Sequence, residues 1–414
     1  MGLSSRIVAV AGTLRSCTMY AEVPPASAAP TAKRQPITRS HHGDVFVDPY
    51  EWLRDKDNPE VITYLEAENT YTEAQTTQLS ELSDAVFSEI KARTKETDLS
   101  VPSYTSHQGG SAYWYYVRTV EGSEYPIYCR VVAKDREKLP DPEQEVVGEE
   151  VLLDGNLEAE GHEFFSLGAF SVSLNGRLLA YSVDLSGAER FTIMIKDLVS
   201  GELLPDHISD TAYGVAWAKN DHLFYTRADE AWRPYVILRH RLGTDPSQDV
   251  AVVTESDERF WLSVDASRDD RWIMIGAESK ITSEVRLLST DDPEGEPRLV
   301  APRRQGVEYD VEPAGDRLLI VHNDGAEDFE LAEAPLTATS HTEWTPVLPH
   351  RQGVRILSVS AYASHAVVSL RRDGLTGLHL MTRDAAGNLE EGSDIAFDEP
   401  LYVVYAPGES EYET

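Results

Sequence analysis

Acyl transfer needs a nucleophile, a base within hydrogen-bond reach and an oxyanion site. The serine signature of such a centre is the nucleophile elbow, Gly-x-Ser-x-Gly. Gly109-Gly110-Ser111-Ala112-Tyr113 fails it at the last position and runs directly into the apolar stretch YWYYVRT. No serine in the chain has glycine at both flanking positions. There is no phosphate-binding Walker motif and no dinucleotide fingerprint. His41-His42 with Asp44 could suggest a metal. Adjacent histidines in an extended strand point to opposite faces, so a shared ion is not expected. His162-Glu163 and His322-Asn323-Asp324 are polar clusters at expected strand ends, where such residues stabilise turns. These residues therefore imply no catalytic, metal or cofactor site.

Carboxylates are abundant but uninformative in position, because 71 acidic residues face only 37 basic ones, for a net charge of −34. That charge argues against nucleic-acid binding. It would attract cationic ligands if focused in a cleft; spread over the surface, it serves solubility.

The elements that could position any site come from a repeat. One copy reads AFSVS, the turn LNGR, then LLAYSVD and RFTIMIKDL, from Ala169 to Leu198. The middle of the second strand recurs at Tyr181, Tyr225, Ile275, Val321 and Ser369, with spacings of 44, 50, 46 and 48 residues. An earlier copy at Tyr116 lies 65 residues before Tyr181, the excess being the acidic insertion KDREKLPDPEQEVVGEE. Apolar residues inside the units alternate with period two, which excludes a helical solenoid. Spacing near 45 with four short strands per copy predicts an all-β fold, a β-propeller. Asn175-Gly176, Asn220-Asp221 and Gly315-Asp316 suit tight hairpin turns, as do Ser186-Gly187 and Ser200-Gly201. Six copies run over roughly 101–155, 162–206, 212–255, 260–302, 308–349 and 355–390. A further apolar strand, EPLYVVYAP from Glu399, reads as the inner strand of a seventh, incomplete blade.

Residues 35–97 precede the propeller, which is expected over 98–414. SHHGDVFVDPYEWLRD reads as extended. Asp57-Asn58-Pro59-Glu60 is a helix start, with the helix reaching about Thr76. A second helix is expected from Ser83 to Lys95, with Val86, Phe87 and Ile90 on one face. Residues 1–34 read as a disordered leader or an upstream start; an export signal cleaved near the Ala-rich stretch is the alternative. Cys17 and Cys129 cannot form a disulfide framework, which favours a reducing, cytoplasmic setting. Cys129 is expected to be a buried residue on a strand. No stretch is long enough to span a membrane as a helix.

HHGDVFVDPYEWLRD, YLEAEN and EIKARTKETDLSVP together resemble the prolyl oligopeptidase family of serine peptidases, most closely its oligopeptidase B (protease II) subgroup. The resemblance continues through YWYYVRTVEGSEYPIYCR, EVLLDGNLEAEGHEFFSLGAFSVS, YGVAWAKNDHLFYT and HNDGAEDFEL, and covers about residues 33 to 414. It implies an N-terminal segment and a seven-bladed propeller capping a C-terminal α/β-hydrolase domain that holds a Ser-Asp-His triad. It also implies access for short peptides only, cleavage after Arg or Lys, and acidic groups, mostly in the hydrolase domain, that bind those side chains. The chain ends at Thr414 inside the last blade, so the hydrolase domain is expected to be absent and no catalytic residue carries over. The chain is expected to be inactive alone, with Trp52, Leu53, Arg54 and Asp55 as candidate contacts to that domain. Alternatives are a split peptidase completed by a separate α/β-hydrolase chain, or a non-enzymatic acidic propeller binding basic peptides. The open blade is expected to leave apolar faces uncovered and to favour self-association.

Overall fold

The computed structural model describes residues 28–141, 144–406 and 411–413. The chain falls into two units, one ending at Lys95 and one beginning at Glu96. The leader, with Cys17, lies outside the described residues.

In the first unit β1 (Ile37–His41) and β2 (Asp44–Asp48) form an antiparallel hairpin. Its turn is made by His42 at φ 51° and Gly43 at φ 87°. The two histidines are therefore not successive strand residues, and their rings lie edge to face at 4.1 Å. This corrects the opposite-faces argument. A short 3₁₀ turn, Glu51–Arg54, leads to α1 (Pro59–Thr76). Asn58 caps it by accepting the N–H of Glu60, as the sequence implied. The second helix, α2 (Ser80–Arg93), starts and ends earlier than expected. A 3₁₀ turn at Thr77–Leu79 carries the chain from one helix almost directly into the next. The apolar face of α2 is real, and Leu82, Val86, Phe87 and Ile90 on it are exposed.

The described residues of the second unit form six antiparallel sheets of four or five strands, each a blade. Their first strands are Ser103–Ser106, Ser166–Val172, Val215–Ala218, Trp261–Ala266, Tyr309–Ala314 and Val354–Ala361. Their second strands are Ala112–Thr119, Leu178–Asp184, His222–Ala228, Trp272–Glu278, Arg317–His322 and His365–Arg372. Every anchor residue of the sequence repeat lies in one of these second strands. First strands approach each other between blades 2 and 3, 3 and 4, and 5 and 6, so they are the inner strands around the axis.

The core is divided among the interfaces between blades. Ile193, Ile195 and Ile208 of blade 2 pack on Trp217, Leu223 and Tyr225 of blade 3. Equivalent clusters join blades 1 and 2, 3 and 4, 4 and 5, and 5 and 6. Period-two alternation makes this arrangement, because each sheet presents one row of apolar side chains to each neighbour. Cys129 is a buried residue of the third strand of blade 1, as expected; burial, the largest cause, pushes its thiol up to about 11.

The far face of blade 1 is not left bare. Tyr116, Ile127 and Cys129 are packed by Leu99 and by Val146 of the acidic insertion, and Tyr116 donates to Glu149 at 2.9 Å. The insertion thus covers a face that the sequence reading left exposed. Residues 401–406 form no paired strand, because no backbone ladder among the described residues runs along them. They nevertheless alternate strictly between exposed and half-buried, the pattern of an extended segment. Leu401, Val403 and Tyr405 are the exposed set.

Candidate functional site

The polar clusters singled out in the sequence serve turns. Gly109 and Gly110, both at positive φ, close the hairpin between the first two strands of blade 1, so Ser111 sits in a β-turn and not on a strand-to-helix elbow. His162 lies in the turn after a one-turn helix, its N–H bonded to Ala159. Asn323 accepts the N–H of Glu308 at 2.8 Å, and Asp324 pairs with Arg304 at 2.7 Å. Ser364 Oγ and His365 Nδ1 are 3.0 Å apart, which resembles a nucleophile–base pair. No carboxylate is bonded to that imidazole among the described residues, and burial lowers its pKa. Nor is any group of three or more His, Cys, Asp and Glu side chains among them placed to hold a metal ion.

The geometry that does stand out is the difference between the two ends of the channel. At one end lie the turns joining first to second strands, and polar contacts stitch blade 1 to 2, 2 to 3, 4 to 5 and 5 to 6. Arg130 of blade 1 donates to the Gly176 carbonyl of blade 2 at 2.6 Å. The N–H of Asn175 donates to Asn220 of blade 3 at 2.9 Å. Arg268 of blade 4 pairs with Glu312 of blade 5 at 3.2 Å, and Glu312 also accepts the N–H of Ala361 in blade 6 at 3.3 Å. Gly176 is required here: its φ is +71°, and a Cβ would lie 2.9 Å from the His107 ring.

The C-terminal segment contacts both ends of blade 6. The N–H of Val404 donates to Thr376 Oγ1 of blade 6 at 2.9 Å. Further on, the Tyr412 carbonyl accepts the N–H of Ala363 at 2.8 Å. Glu411, buried, accepts from the N–H and the hydroxyl of Ser106 in blade 1 at 2.9 and 2.8 Å. Val404 thus meets blade 6 level with Arg355, while Tyr412 and Glu411 meet blades 6 and 1 at the turn end.

Along the channel wall, from Asp265 near the turns to Glu278 and Asp310 where the inner strands begin, carboxylates lack such matches. Trp261, Ser263 and Asp265 are exposed along the inner strand of blade 4, while Leu262 and Val264 between them are buried. Asp310 of blade 5 is likewise exposed on its strand. Although open to water, Asp265, Glu278 and Asp310 are all held above the ordinary carboxylate range, chiefly by desolvation within the recess. For Glu278 the neighbouring charges of Asp310 and Glu308 add to it. Accessible yet poorly hydrated carboxylates are what a narrow channel wall produces.

Trp52, Leu53, Arg54 and Asp55 lie in the first unit. Trp52 and Leu53 are half-buried there, and the Trp52 indole donates to the Lys33 carbonyl at 2.8 Å. Arg54 pairs with Glu51, and Asp55 is exposed. The channel carboxylates were missed in the sequence because nothing separates them from the other acidic residues. The usable signal was exposure by alternation: in WLSVDA a carboxylate shares its face with a Trp and a Ser.

The profile of the prolyl oligopeptidase N-terminal β-propeller domain matches residues 29–414. The chain belongs to that family. Protease 2 of Moraxella lacunata is 36% identical over 93% of the chain and 54% of its own length. Dipeptidyl aminopeptidase BI of Pseudoxanthomonas mexicana is 34% identical over 94% of the chain and 54% of its own length. Among solved structures, oligopeptidase B from Leishmania major superposes with a TM-score of 0.84 at 30% identity, covering 94% of the chain and 56% of that protein. The chain spans about half the length of these prolyl oligopeptidase relatives.

Proposed function

We propose that the chain is the channel-forming half of an oligopeptidase B-like serine peptidase. It admits short peptides to a catalytic half and favours those carrying Arg or Lys. The observation that carries this reading is the carboxylate-lined channel wall, with Glu278 and Asp310 at its start and Asp265 nearer the turns, in a fold shared with peptidases. A negative, partly desolvated wall lowers the energy of a cationic side chain in transit and raises that of an anionic one.

Bond cleavage belongs to the catalytic half. Ser364–His365 is a pair without the orienting carboxylate that makes a triad work, and it sits on a hairpin turn with no preformed oxyanion site described. Trp52, Leu53, Arg54 and Asp55 are proposed contacts to the catalytic half. The half-buried indole at Trp52 supplies a fixed apolar surface for that docking.

The purified chain is tested on blocked peptide amides with Arg, Lys or Ala before the scissile bond, with and without the second half of Moraxella lacunata Protease 2 supplied in trans. No turnover is expected from the chain alone. Activity with Arg and Lys peptides in the mixture supports the reading. Turnover by the chain alone that persists through repeated purification contradicts it.

A further inference from the structure

Two cavities adjoin at the start end of the channel. The smaller, about 230 Å³, lies among Glu278, Glu308, Asp310, Phe329 and Arg355. The larger, about 640 Å³, lies against Trp261, Ile281 and Gln305, with Glu258, Lys280 and Arg259 (itself paired with Asp257) on its rim, and shares Glu278 and Ser279 with the first. Trp261 and Glu278 are register partners on the first two strands of blade 4. Cross-strand partners point to one face, so an indole and a carboxylate stand side by side at the mouth.

The charges in this cavity are unmatched, unlike others in the blades. Glu284 pairs with Arg286, Glu255 with Arg303 and Glu312 with Arg268. The Glu278 carboxylate accepts no hydrogen bond and has no cationic partner among the described residues, and that of Asp310 accepts only the N–H of Val311. Across the cavity the Arg355 guanidinium lies 4.4 Å from the centre of the Phe329 ring and pairs with no carboxylate among the described residues. Both signs of charge are present, both are uncompensated, and an aromatic face adjoins them.

We propose that this cavity is a cation subsite for peptides in the channel. An alkylammonium or guanidinium group, from a Lys or Arg side chain or from the peptide's own N-terminus, lies over Trp261 and between Glu278 and Asp310. Arg355 holds a neighbouring peptide carbonyl or carboxylate. An aromatic face and a carboxylate together bind such cations more strongly than either alone. The inference rests on the reading of the propeller as a peptide passage and names the place within it where charge is recognised.

The test is fluorescence anisotropy of the whole chain with three dye-labelled pentapeptides. One is end-blocked with a central Lys, one has a free N-terminus and no Lys, and one is blocked and neutral. At least one cationic peptide is expected to bind about tenfold tighter than the neutral one, an advantage lost in Glu278→Gln and reduced several-fold in Trp261→Ala. Which arm depends on Glu278 identifies the source of the cation. Both residues are exposed, so the variants should keep the wild-type unfolding transition, and Glu202→Gln serves as a control of equal charge change. Equal binding of all three peptides, or cation binding unchanged in Glu278→Gln, overturns the subsite. Photo-cross-linking separates the two readings. Labelling of inner strands by the cationic peptides to the same extent in wild type and Glu278→Gln sinks the subsite and leaves the passage standing, whereas no labelling of inner strands by any peptide sinks both.

Discussion

Arg268 and Glu312 form an ion pair at 3.2 Å that joins the inner strand region of blade 4 to that of blade 5 at the turn end of the channel. Both side chains are largely shielded from water, and the Arg268 guanidinium also lies 4.8 Å from the centre of the Tyr362 ring in blade 6. One arginine thus touches three successive blades. Its partner is unusual. Burial pushes the Glu312 carboxyl up to about 7, against the opposing pull of Arg268 and the Ala361 N–H, with Asp310 adding to the rise.

A raised carboxyl binds its proton more readily in the folded state than in the unfolded chain. Its contribution to stability is therefore full below pH 4.5 and is lost as pH rises through about 7. Glu312→Gln should flatten the fall in stability over that window, by up to roughly 3 kcal/mol. Urea midpoints at closely spaced pH values check this; a slope unchanged in the variant would remove Glu312 as its source.

His240 of blade 3 is fully buried between two carboxylates. Its Nε2 lies 2.9 Å from Asp206 of blade 2, and its Nδ1 lies 2.7 Å from Asp249. Burial opposes the charged ring, but hydrogen bonds to Asp249 and Asp206 outweigh it and raise the pKa. The ring's contribution is thus present below its ordinary value of 6.5 and lost as pH rises through the elevated one. His240→Ala leaves two buried carboxylates without a cation and should cost about 3–5 kcal/mol near pH 6. Chemical denaturation reads this directly, and a loss under about 1 kcal/mol would show the site to be hydrated.

The contact of Glu411 with Ser106 ties the C-terminal segment to blade 1. Hydrogen bonds to a charged acceptor are each worth about 1.5–3 kcal/mol net. Glu411→Gln should therefore speed hydrogen exchange at the Ser106 amide more than at blade 3 amides such as Phe224. Equal exchange in both proteins would mean that the segment does not hold that edge.

The blades were legible because their signal is local and repeated. Tyr181, Tyr225 and Ile275 each mark a buried position in the second strand of a blade, and the period-two pattern around them follows from sheet geometry. The start of α2 was misplaced by three residues because a 3₁₀ turn at Thr77–Leu79 carries the chain from α1 into it without a break. The seventh inner strand was read from its apolar residues, but a strand also needs a partner, and residues 401–406 have none among those described. The polar stitches were invisible for a different reason. Asn175 and Asn220 are 45 residues apart, Arg268 and Glu312 are 44, Arg130 and Gly176 are 46, and Trp217 and Ser171 are 46. For all but Arg130 and Gly176, where the acidic insertion lengthens the repeat to 65 residues, the separation is one blade, so those contacts join equivalent levels of neighbouring blades. A search for complementary polar residues one repeat apart would have found them, although the acidic excess hides any one carboxylate. Carboxylates at the channel mouth needed coordinates, since exposure and desolvation of Glu278 arise from blades 4 and 5 meeting.

The most direct measurement fuses residues 28–414 to the second half of Moraxella lacunata Protease 2. It then compares cleavage of a short blocked Arg peptide with cleavage of a long unfolded protein rich in Arg and Lys. If the propeller controls access to chemistry performed by the other half, the fusion cleaves the short peptide and spares the long chain. Digestion of the long chain at a comparable rate per Arg or Lys bond would contradict that role.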